Sequence, residues 1–186
     1  MLEAAAIHPH IVTASGLILS VFSGILFWRG QIFFGGIVLI ISGACDVLDG
    51  RLARSTNTHS RFGALLDSTV DRYSEIAVYM GLAAFFNSAF IHALIILAIA
   101  GSLLTSYVRA RAEGLGIECK VGLMQRPERI TFLAVGAVIG SIFDLIFNAH
   151  QALLILPILG IAILSNITVI QRMLLVRDST KNKIKE

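Results

Sequence analysis

Four aspartates, Asp46, Asp49, Asp67 and Asp71, fall within one short stretch of an otherwise apolar chain. Arg51, Arg54, Arg61 and Arg72 stand among them. Asp46, Asp49, Gly50 and Ala53 follow i, i+3, i+4, i+7 spacing, which is one face of a helix. Asp67 and Asp71 are i and i+4, with Gly63 one turn before them on the same face. Two short carboxylate arms per helix, on helices joined by a short loop, can converge on one point. Left together, the four charges repel. Hard divalent cations with oxygen ligands relieve that repulsion, and Mg²⁺ needs only a few carboxylates plus substrate phosphate. Two such ions about 4 Å apart clamp a phosphoryl group undergoing displacement. Gly50, Ala53 and Gly63 leave room for a bulky ligand such as a nucleotide. Tight helix packing through small residues accounts for them equally well.

The surroundings make these acids expensive. The 186 residues are 56% hydrophobic, with a mean hydropathy of +0.82. That excludes an ordinary soluble domain. Residues 4–28, 30–45, 76–108, 130–143 and 145–171 carry no Asp, Glu, Lys or Arg. A spanning helix needs about 20 mostly apolar residues. The 76–108 run is long enough for two, with a break at Phe86–Ser88. Six helices are predicted, near 10–28, 31–53, 62–86, 90–113, 127–147 and 151–176. The fold class is therefore all-α integral membrane with six transmembrane helices, a single domain over 1–186. The start shows no cleavable signal peptide. Cys45 and Cys119 suggest neither a disulfide framework nor a zinc site.

Charge placement sets the topology. With six spans both termini share a side, and fourteen of the fifteen Lys and Arg residues fall on or near it, Arg29 being the exception. The positive-inside rule puts the termini, both charged loops and the aspartates at the cytoplasmic face of the cell membrane. The net charge of +3 needs no nucleic acid, because a basic rim facing anionic lipid explains it.

The acidic stretch reads Asp46-x2-Asp49-Gly50-x2-Ala53-Arg54-x8-Gly63-x3-Asp67-x3-Asp71. This resembles the signature of the CDP-alcohol phosphotransferase family. The resemblance implies a membrane enzyme that moves a phosphate-linked alcohol group from a CDP carrier to a second alcohol and releases CMP. It implies that Asp46, Asp49, Asp67 and Asp71 bind two divalent metal ions, Mg²⁺ or Mn²⁺. Asp71 would also take the proton from the attacking hydroxyl. Asp46, Gly50, Ala53 and Arg54 would lie against the CDP moiety. Upstream, "HPHIVT" resembles the family's "NPNxxT" element, with Pro9 and Thr13 matching and His8 and His10 replacing asparagines. That would place Thr13 at the cytidine side. The family works as homodimers, and a homodimer is implied here.

A second cluster, "SYVRARAEGLGIECKVGLMQRPER", spans Ser106 to Arg129. It is similar to the phosphatidylinositol-phosphate synthase branch of the family. By that resemblance Ser106, Arg109, Arg111, Arg126 and Arg129 grip the phosphate of an inositol phosphate acceptor, with Arg172 as a further arginine. Arginine binds phosphate bidentately and helix N-termini favour anions, so the residue types suit the role. Simple flanking charge at a membrane interface is the rival account of each arginine alone. The donor would be CDP-diacylglycerol or CDP-archaeol. Rival readings keep the chemistry but take glycerol-3-phosphate as acceptor or CDP-inositol as donor. Outside the class stands an ion or metal transporter. Transporters tend to show internal repeats and sites near the bilayer midplane, whereas here the acids lie near one interface and no repeat is visible. Asp144 has no assigned role.

Overall fold

The computed structural model describes residues 9–55, 61–147 and 152–183, with side chains described for 13–46, 61–147 and 153–181. Among them are six helices: α1 (Pro9–Trp28), α2 (Ile32–Ser55), α3 (Arg61–Phe85), α4 (Ala89–Gly114), α5 (Arg126–Phe147) and α6 (Ala152–Lys183). Each boundary lies within two residues of its predicted place, except that α6 runs seven residues further. The break at 86–88 is present. His92 helps to shape it, its Nε2–H donating to the carbonyls of Phe86 at 2.7 Å and Ala83 at 2.9 Å. These carbonyls belong to the frayed end of α3, where helix partners run out.

Helices pack as a closed ring in the order α1, α2, α5, α6, α4, α3, and back to α1. The distribution of side chains is that of a protein dissolved in lipid. Large apolar residues face outward, among them Ile18, Phe34, Met80, Ile96 and Leu145. The interior holds an apolar core that includes Phe27, Leu82, Ile95 and Ile158, and with it Ser20, Ser23, Ser42, Ser102, Thr105, Ser165 and Thr168, all buried. Lipid gives no hydrophobic drive between helices, so small residues and interhelical hydrogen bonds do the joining. Ser42 Oγ donates to the Gly16 carbonyl at 2.9 Å, tying α2 to α1. Thr105 Oγ1 donates to the Ser165 carbonyl at 3.1 Å, tying α4 to α6. Among the described residues three helices are long and apolar enough to cross a membrane: Ala89–Gly114, Arg126–Phe147 and Leu153–Lys181. In α3 the charges Arg61, Asp67, Asp71, Arg72 and Glu75 interrupt the first half.

The tightest approach is between α1 and α3. A Cβ on Gly24 would stand 2.5 Å from the Ala77 carbonyl oxygen, and one on Gly81 would run into the backbone of Gly24. This contact sets how far α3, and so its carboxylates, stands from α1. Gly81→Ala is expected to destabilise the fold by about 1–3 kcal/mol through overpacking. Thermal unfolding in detergent checks this, and an unchanged midpoint would show that the helices can part without penalty.

Candidate active site

Carboxylates converge where α2 and α3 approach α5. Asp46 lies on α2 beside α1, close enough that a Cβ on Gly16 would sit 3.0 Å from its Oδ1. Asp71 lies on α3, one turn after Asp67. Arg126, the first residue of α5, reaches between them. Its Nη1 is 2.7 Å from Asp46 Oδ2 and its Nη2 is 2.9 Å from Asp71 Oδ1. All three side chains are about one-fifth exposed. Pro127 follows at the first turn of α5, where its missing N–H leaves no helix bond unmade.

Asp46 Oδ2 is thus held by the Arg126 guanidinium, while buried Arg126 Nε has no hydrogen-bond partner. Asp67 stands near enough for its charge to act on Asp46. Carboxylates converging from two helices, a donor set made only of oxygens, and a cation already drawn between two of them fit a hard divalent ion. Among the described residues no three His, Cys, Asp or Glu side chains close a metal site by themselves. Asp49, the fourth predicted ligand, lies on α2, and its side chain is outside the described residues, as are those of Gly50, Ala53 and Arg54.

Two cavities meet at this point. The larger, about 510 Å³, has Asp71 on one wall and Ser106, Arg109, Arg126, Arg129 and Arg172 around it. It draws on α3, α4, α5 and α6 and is the polar hollow of the ring. The second, about 500 Å³, lies between α2 and α5. Ile40, Ile130, Ala134 and Val135 make it apolar, and it ends at Asp46, Asp71 and Arg126. Asp71 and Arg126 thus belong to both. Thr13 is buried on α1 and lines neither cavity.

The arginines of the polar cavity are each held by the protein. Arg129, 2% exposed, makes a bidentate pair with Glu75, Nε to Oε1 at 2.6 Å and Nη2 to Oε2 at 3.0 Å. Its Nη1 also donates to the Met124 carbonyl. Arg172, equally buried, donates from Nε to the Val121 carbonyl at 2.8 Å and from Nη1 to the Thr105 carbonyl at 2.6 Å. Arg109 is more open and pairs with Glu113 at 2.9 Å. A fork with five donors can satisfy such partners and still present N–H groups to a ligand. Five of the six predicted phosphate-binding residues therefore line one cavity. The sixth, Arg111, lines a different cleft, because residues two apart on a helix do not share a face.

Sequence reasoning passed over Glu75. The signal was there, since Asp67, Asp71 and Glu75 continue at i, i+4, i+8 along α3.

The CDP-alcohol phosphatidyltransferase family profile matches residues 6–169. The chain belongs to this family. It is 37% identical over 180 residues to a phosphatidylinositol phosphate synthase of Mycobacteroides abscessus, covering 94% of this chain and 80% of that one. It is 36% identical over 176 residues to an archaetidylinositol phosphate synthase of Methanothermobacter thermautotrophicus, covering 95% and 86%. Its fold matches the crystal structure of Mycobacterium tuberculosis phosphatidylinositol phosphate synthase with CDP-DAG bound, at a TM-score of 0.81 and 32% identity over 94% of this chain and 89% of that one. The same enzyme in complex with manganese and citrate matches at 0.82 and 33%, over 94% and 85%. The chain is a phosphotransferase of the CDP-alcohol class.

Glu75→Ala leaves the buried Arg129 charge without its carboxylate, which is expected to destabilise the protein by about 3–5 kcal/mol. The double variant Glu75→Leu with Arg129→Met is expected to recover most of that loss. Melting curves of the three proteins check it, and a harmless single change would show that the pair carries no positional role.

Proposed function

We propose that this protein transfers the phosphatidyl-type group of a CDP-linked lipid, CDP-diacylglycerol or CDP-archaeol, to inositol phosphate. CMP leaves, and a phosphoinositol lipid phosphate forms. The observation that carries this is the shared cavity: Asp71 faces the same hollow as Ser106, Arg109, Arg126, Arg129 and Arg172. A phosphate seated on those arginines keeps its attached alcohol beside the carboxylate that must take a proton. The relatives with inositol phosphate products favour that acceptor over glycerol-3-phosphate.

The donor lies with its lipid end in the apolar α2–α5 cavity and its pyrophosphate at Asp46, Asp49, Asp67 and Asp71. Gly50, Ala53 and Arg54 flank the CDP portion, with Thr13 further up α1. Two divalent ions held by the four aspartates would supply charge neutralisation for the pyrophosphate and the departing CMP. Asp71 accepts the proton of the acceptor hydroxyl as its oxygen bonds to the lipid-side phosphorus. The bond from that phosphorus to the CMP oxygen breaks at the same centre. Arg126 has room to serve either neighbour, the carboxylates or the acceptor phosphate. Positioning and fixed charge do most of the work in such a displacement.

The whole chain, 1–186, forms one membrane domain with six spans. The apolar outer faces of all six helices and the one-sided Lys and Arg placement support that count, with termini and active site at the cytoplasmic face of the cell membrane. The working unit is a homodimer.

A CMP-release assay on purified protein with CDP-diacylglycerol and Mg²⁺ tests the reading. Release is expected with inositol phosphate, and chelation should abolish it. Release only with glycerol-3-phosphate would overturn the acceptor assignment, and release only from CDP-archaeol would settle the lipid. Asp71→Asn is expected to lower kcat by about 10²-fold or more. Arg109→Ala should raise KM for inositol phosphate roughly tenfold, the loss of one charge-assisted contact, with little effect on KM for the donor.

A further inference from the structure

Arg111 has no place in the acceptor cavity, yet its surroundings are far from featureless. It lines a cleft of about 290 Å³ between the ends of α4 and α6, on the side away from Arg109. The walls are apolar: Tyr107, Leu115, Met173 and Val176. Tyr107, Leu115 and Met173 are more than half exposed, at 62%, 54% and 58%. Arg177 of α6 lines the same cleft. Both helices divide in the same way. Arg109 and Arg172 turn to the polar cavity, while Arg111 and Arg177 turn to this outer cleft.

An apolar trough with two guanidiniums beside it matches an amphiphile with an anionic head. Among the described residues no acid pairs with Arg111, since nearby Glu113 is held by Arg109. Arg177 Nε is 3.0 Å from Asp178 Oδ1, but both side chains are about 60% exposed. Such a pair contributes little, and the other N–H donors of Arg177 stay open to a phosphate. On the outer surface of a membrane protein the amphiphile at hand is a phospholipid. Basic pockets between helices near the cytoplasmic interface are where anionic headgroups bind.

We propose that this cleft holds one anionic phospholipid of the surrounding bilayer, with its phosphate between Arg111 and Arg177 and an acyl chain along Tyr107, Leu115 and Met173. The site is separate from the catalytic cavities and does not rest on the acceptor reading. Its charge sits where the α4–α5 connector begins, so a bound lipid would brace the end of α4 from outside while Arg109 works from within.

The test is native mass spectrometry of the delipidated full chain titrated with phosphatidylglycerol or phosphatidylcholine. The wild type should retain one phosphatidylglycerol at concentrations that leave phosphatidylcholine unbound. The double variant Arg111→Gln with Arg177→Gln should bind it roughly tenfold or more weakly, at about 1 kcal/mol for each basic residue near a lipid surface. Arg111→Lys with Arg177→Lys should restore most of the binding. Unchanged phosphatidylglycerol retention in the Gln variant, or equal retention of phosphatidylcholine by the wild type, overturns the proposal. Displacement of the lipid by millimolar inorganic phosphate would mark a free-anion site and overturn it too. A shift in oligomeric mass in the Gln variant, with lipid retention intact, would give the cleft to a second copy of the chain instead.

Discussion

One guanidinium, that of Arg126, lies between carboxylates from two other helices, and the active end of the molecule is organised around it. An acidic side chain inside a membrane protein must find a partner, or its desolvation is not offset. Asp46 on α2 and Asp71 on α3 find the same partner at the start of α5. Three helices are thereby brought to one level. Arginine suits this place because its planar fork can meet two acceptors at once, which a lysine ammonium cannot do in the same way. The ring of helix contacts then carries the constraint outward. The close α1–α3 approach at Gly24 and Gly81 holds α3 in place, and Gly36 lets α2 lie against Ala134 and Val138 of α5.

The same two helices repeat the arrangement one turn further in. Asp71 and Glu75 on α3 face Arg126 and Arg129 on α5, giving two successive rungs of arginine and carboxylate. The rungs differ in how complete they are. The inner one is almost fully buried, bidentate, and backed by the Met124 carbonyl. The outer one is partly exposed, spread over two carboxylates, and leaves Arg126 Nε without a partner. Buried ion pairs add little net stability, so what the inner rung contributes is position. It fixes α3 against α5, while the outer rung keeps hydrogen-bonding capacity for ligands.

Much of this was readable from residue order, for identifiable reasons. Uncharged runs mark helices because lipid tolerates so few charges, and that located five of six helix ends to within two residues. The last end was missed because "RDSTKNK" is polar, and a helix can continue past the apolar zone into Lys183. Spacing within a helix placed Asp67 with Asp71 and separated nothing wrongly there. The same spacing, applied to Arg109 and Arg111, would have split them between two faces; treating them as one cluster lost that information. What no spacing could supply is the phase between helices. That Arg126 meets Asp46 and Asp71, or that Arg129 meets Glu75 across 54 positions of chain, follows from how α5 is rotated against α2 and α3, and packing of small residues decides that.

The two cavities, one polar and one largely apolar, share a wall, which suits the proposed pair of substrates of opposite solubility. A lipid-linked donor needs an apolar bed, and a sugar phosphate needs a hollow of fixed positive charge. Neither bed serves the other ligand, since an arginine-lined hollow rejects acyl chains and an Ile and Val wall gives a phosphate nothing to bind. In the proposed reaction the reacting atoms would meet where the beds touch, and Asp71 and Arg126 line both cavities there. A displacement at phosphorus needs its entering oxygen and leaving oxygen on opposite sides. In the reaction proposed above, a base on the boundary, facing the polar hollow while the donor phosphate lies toward the α2–α5 cavity, would deliver the hydroxyl from the side away from CMP. The placement of one aspartate at that junction links the apolar groove to the polar one.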